Sequence, residues 1–98
     1  MNVNDILVST WGYDQTNVDF YVVVGKTAKN VRIQKVKTVR EHREDPMHYH
    51  AVPDVNAIEG KPMLRKITLC MGNEYVAPDE YARATQWDGR PYLGTCYA

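Results

Sequence analysis

At 98 residues the chain is sized for one small domain, residues 1–98, and it holds no apolar run near the roughly 18 residues of a membrane-spanning helix. Two cysteines, Cys70 and Cys96, are too few for the disulfide framework of a small secreted domain. The formal net charge is zero, which excludes a uniformly basic or acidic partner-seeking surface but conceals a block pattern.

That pattern is uneven. Residues 1–25 carry Asp5, Asp14 and Asp19 with no base, whereas 26–40 carry Lys26, Lys29, Arg32, Lys35, Lys37 and Arg40 with no acid. Residues 41–60 return to acid, with five carboxylates against Arg43. Block asymmetry of this kind says more about partners than the total does. The first residues, Met1-Asn2-Val3-Asn4-Asp5, lack the basic and apolar regions of a secretory signal, so a cytoplasmic location is expected. Both cysteines are expected as reduced thiols, Cys70 packing as a small hydrophobe.

In chain order, Ile6-Leu7-Val8-Ser9-Thr10-Trp11 and Val18-Asp19-Phe20-Tyr21-Val22-Val23-Val24 have the β-branched and aromatic composition of strands. The residues between them, including Gly12, Asp14, Thr16 and Asn17, favour a turn. The spacing predicts a β-hairpin in which Val18, Phe20, Val22 and Val24 form a continuous core face, with Asp19, Tyr21 and Val23 on a partly covered one. A third strand is expected over 31–39. Val31 and Ile33 are odd-numbered and Val36 is even, a shift that suggests a bulge near Gln34-Lys35. Residues 40–62 are polar, contain His42, His48 and His50, and read as a long excursion with a short extended piece at 47–52. A fourth strand follows at 64–71 and a short fifth at 74–77. Pro78-Asp79-Glu80 then resembles a helix start, with at most two helical turns through 81–85. Trp87-Asp88-Gly89-Arg90-Pro91 reads as a tight turn before a surface tail. The fold class expected is mainly β: a small, strongly curved antiparallel sheet or SH3-like partly open barrel of four to five strands with one short helix. An α+β roll is the alternative.

The segments DILVSTWGYDQTNVDFY (residues 5–21) and WDGRP (residues 87–91) resemble a group of short, uncharacterised proteins of bacteriophages and other mobile elements. The resemblance covers the first twenty-odd residues and the Trp87 turn and does not extend to 40–62. It implies a small accessory protein acting inside a bacterial host, and it implies no reaction.

Three groups of residues could carry function. The histidines His42, His48 and His50 include a pair that points the same way in an extended segment, and imidazole is a good zinc ligand. Their spacing matches no standard zinc pattern, however, so they read as solvated loop residues, and no metal or cofactor is expected. The basic strand, with Lys26, Lys29, Arg32, Lys35, Lys37 and Arg40, could follow a phosphate backbone. The favoured reading is an edge strand protected by charge, and the acids on both sides of the block weaken nucleic-acid binding further. Trp11 and Trp87 are expected to fill the core, which leaves Tyr13, Asp14, Gln15, Thr16 and Asn17, with Tyr21, as a partner-binding surface. The reading that results is a non-catalytic accessory protein binding a host or phage macromolecule, most simply a protein; the further role of host-defence inhibitor is what the resemblance implies, not the residues. A nucleic-acid-binding barrel is the alternative, and a small enzyme or ligand-sequestering protein comes third.

Overall fold

A computed structural model describes residues 1–12, 17–41, 48–79 and 82–95. The expected hairpin is present: β1 (Ile6–Trp11) pairs antiparallel with β2 (Asn17–Lys26), from Ile6 opposite Val22 to Trp11 opposite Asn17. β3 (Asn30–Glu41) follows, then β4 (His48–Ile58), β5 (Met63–Lys66), β6 (Thr68–Cys70), β7 (Asn73–Asp79), β8 (Ala82–Gln86) and β9 (Tyr92–Thr95). Among the described residues these nine strands form an antiparallel path in the order β6-β7-β8-β1-β2-β3-β4-β9, with β5 paired to β3. The fold is mainly β, as expected. The path is open and runs through eight strands with β5 beside it, so the expected barrel of four to five strands is replaced by a longer sheet.

The sheet has a core on each face. Leu7, Tyr21, Val23, Val31, Ile33, Val76 and Ala84 form one cluster together with Met1. Val8, Val18, Phe20, Val36, Tyr49 and Ala51 form the other, with Trp87 and Tyr92 packed against it. Successive side chains of a strand point to opposite faces, so β1, β2 and β3 feed both clusters alternately. This corrects two expectations. Tyr21 and Val23 are as deeply buried as Val18 and Phe20, whereas Val24 is exposed. The change of parity at Val36 is also not a bulge near Gln34-Lys35: Val31 and Ile33 enter one core, and Val36 enters the other. The register shifts lie elsewhere, between Val23 and Gly25 on β2 and beyond Val36 on the β3–β4 pair.

Three segments differ from the pattern expected of them. The excursion at 40–62 contains an eleven-residue strand, β4. Pro53 is accommodated there because β9 pairs only with His48 to Ala51, leaving that flank of β4 without a ladder beyond Ala51 among the described residues. The short helix through 81–85 is replaced by β8, where Ala82 and Ala84 are buried and Arg83 and Thr85 exposed. That period of two, with β1 on one side and β7 on the other, overrides the weak helical preference of Ala and Arg. The tail forms β9, which pairs with β4.

The expected fourth strand is divided at Ile67, whose N–H donates to the Lys29 carbonyl. Its second part, β6, is an edge strand, which leaves Leu69 and Cys70 exposed rather than packed. Between β5 and β7 the contact is made by a side chain. Arg65 Nε donates to the Ala77 carbonyl at 3.1 Å, and Nη2 donates to the Pro78 carbonyl at 3.1 Å.

Two stability effects follow. Phe20 is fully buried against Trp87 in an edge-to-face contact, with ring centroids 5.7 Å apart. Phe20→Ala should therefore cost about 3–5 kcal/mol in denaturant unfolding. The β6–β7 hairpin turns through Met71 and Gly72 at φ 53° and 82°, a pair of positive values that suits Asn-Gly far better than Met-Gly. Met71→Asn relieves this strain at a side chain that is 97% exposed. It should raise the melting temperature by about 4–8 °C if about 1 kcal/mol is recovered.

Candidate functional site

The hairpin end of the sheet gathers polar groups on the Tyr21 face. Trp11 and Asn17 form the last rung of the β1–β2 ladder, and Ser9 stands opposite Asp19. Trp11 Nε1 donates to Asp19 Oδ2 at 2.7 Å, and Lys35 Nζ lies 3.5 Å from Asp19 Oδ1 and 4.0 Å from a Glu59 oxygen. One carboxylate thus fixes an indole and an ammonium together. Trp11, expected in the core, is 46% exposed. The reason is local: the N–H reaches its acceptor along the sheet surface, so the ring lies on the rim instead of entering either core. Beneath it Ser9 is buried, and its hydroxyl finds no hydrogen-bond partner among the described residues.

Tyr21 is also placed differently from the surface position expected of it. Its ring is 6% exposed, within the first core cluster. Burial pushes its phenol up to about 12, Asp19 and Asp79 add to the shift, and Arg65 opposes it. Tyr13, Asp14, Gln15 and Thr16 lie outside the described residues, and Asn17 opens β2. Of the expected partner-binding group, then, the structure locates Asn17 at the rim and Tyr21 inside.

The basic block is dispersed by the pleat. Lys35 and Lys37 share the Tyr21 face, and Arg32 and Arg40 share the Phe20 face. Arg40 lies over the Tyr49 ring at 4.7 Å, and Lys35 is engaged by carboxylates. Lys26 and Lys29 converge instead with Lys66 around a cavity of about 370 Å³ that also includes Ile67, Leu69 and Glu74. Lys66 was not legible as a member of this group: it comes from β5, and only the Asn30–Lys66 pairing brings it there. Among the described residues no group of three His, Cys, Asp or Glu side chains is arranged to hold a metal. His50 pairs with Glu41 across the β3–β4 ladder, and His42 lies outside the described residues.

No known protein family, curated protein sequence or solved structure matches this chain. The geometry of its own residues therefore carries the functional argument.

The buried phenol has a measurable consequence. A tyrosine in the unfolded chain ionises near 10, whereas Tyr21 in the fold holds its proton to about 12. Between those values the unfolded state binds fewer protons, so stability is full below about pH 10 and is lost as pH rises through the folded value. Tyr21→Phe should flatten this part of the stability-against-pH curve. Spectroscopic titration of the wild type should also show one tyrosine ionising well after the others.

Proposed function

We propose that this chain is a non-catalytic accessory protein of the phage type its N-terminal motif resembles, acting in the bacterial cytoplasm by binding a host or phage protein. Inhibition of a host defence system is the role this reading assigns. The observation that supports it is Trp11: a large aromatic ring, 46% exposed, whose indole N–H is fixed to Asp19 at 2.7 Å. Tryptophan is among the commonest energetic anchors of protein interfaces. A ring already held in place also loses little freedom on binding. Asn17, which stands opposite Trp11, belongs to the same hairpin end.

The nucleic-acid alternative draws support from Lys26, Lys29 and Lys66, which surround one cavity. Against it, the two-sided pleat leaves only a few of the block's charges on any one face. Few phosphate contacts would give weak, strongly salt-dependent binding.

The test is to purify the tagged chain from its bacterial host with its partner and to measure their affinity at two salt concentrations. Trp11→Ala should weaken binding by about 2 kcal/mol or more. Lys26→Glu combined with Lys29→Glu should change it little, and salt should matter only modestly. If the double reversal destroys binding, Trp11→Ala leaves it intact and affinity falls steeply with salt, the nucleic-acid reading replaces this one.

A further inference from the structure

A second constellation lies where β8 meets β1, on the Phe20 face. Val8 stands opposite Thr85 and Ser9 opposite Ala84. The pleat therefore directs Thr85 and Arg83 to the same side as Val8 and Thr10. β9 reaches this face from the far end of the sheet. The Trp87 turn guides it: Trp87 N–H donates to the Ile6 carbonyl at 2.8 Å, and its indole Nε1 donates to the Arg90 carbonyl at 2.7 Å. The result is a cleft of about 400 Å³ lined by Val8, Thr10, Arg83, Thr85 and Tyr92. That volume falls within the range of small-molecule sites.

The chemistry of the lining is one-sided. Among the described residues it has a guanidinium, two aliphatic hydroxyls and a phenol, and no carboxylate. Arg83 is held over the Tyr75 ring at 4.7 Å, and among the described residues no carboxylate lies within ion-pair distance of it. Stacking orients the planar fork while leaving its N–H donors available. A positive fork with hydroxyl donors beside it is complementary to an oxyanion, which accepts several hydrogen bonds and neutralises the charge.

We propose that this cleft binds a small molecule through a phosphate or carboxylate group, with Arg83 as the fork, Thr10 and Thr85 as flanking donors and Tyr92 as the wall. The site is separate from the rim that presents Trp11, because Thr10 and Trp11 are consecutive residues on opposite faces of β1.

The probes are inorganic phosphate and acetate, titrated at constant ionic strength while backbone amide NMR signals are followed. Saturable shifts centred on Thr10, Arg83 and Thr85 are expected with at least one probe, and the preferred probe identifies the oxyanion. Arg83→Ala should raise its Kd by about tenfold to a hundredfold. Arg83→Lys should recover only part of the affinity, since the ammonium lacks the fork. Thr10→Val gives an independent reading at an exposed position and should also weaken binding. Absence of binding by both probes overturns the proposal. So does an affinity unchanged in Arg83→Ala and Thr10→Val, or shifts centred on Lys26, Lys29 and Lys66.

Discussion

Burial of β1 and β2 on both faces is the constraint on which the rest of this structure depends. Leu7 and Tyr21 point into one core while Val8 and Phe20 point into the other. A slip of one residue in the β1–β2 ladder would exchange the contents of the two cores and send Asp19 toward the Phe20 cluster. Neither core is large. Each is made deep by curling the ends of the sheet, β7–β8 with β5 over one face and β4–β9 with the Trp87 turn over the other. Exposed functional groups then collect where the covering ends: Trp11 and its carboxylate at one rim, Arg83 and the two threonines under β9.

Much of the strand content was legible because β-branched and aromatic residues are concentrated in 6–11, 18–24 and 31–36. The two-sided core was not, since alternation alone does not say whether the second face is covered. Val36 illustrates the point: its parity suggests a bulge to anyone assuming one core and needs no explanation once there are two. β4 was hidden by Pro53 and the polar residues around it, and β8 by Ala-Arg-Ala, whose helical preference is real but worth only tenths of a kcal/mol per residue. The candidate sites were less legible still. Lys66 joins Lys26 and Lys29, and Arg83 joins Thr10, only through pairing between distant segments. No spacing in the sequence encodes that.

Arg65 shows how the open sheet manages its curl. A continuous ladder between β5 and β7 would demand matched register and length. A guanidinium reaching two backbone carbonyls demands neither, and it satisfies acceptors that burial of Pro78 would otherwise leave short of donors. The same charge lies close enough to Tyr21 to oppose the rise in its ionisation range. One arginine thus links the seam of the sheet to the polar groups of the hairpin end.

The pairing of β8 with β1 joins segments far apart in sequence. β1, β2 and β3 can assemble from neighbouring segments as soon as they leave the ribosome, whereas the outer edge of β1 waits for β8, at Ala82–Gln86. During synthesis that edge carries unpaired N–H and C=O groups beside Leu7 and Val8, a template for strands of other nascent chains. Closing so long a loop is slow relative to forming local hairpins. The rate at which β8 is delivered therefore governs how long this edge stays open to aggregation.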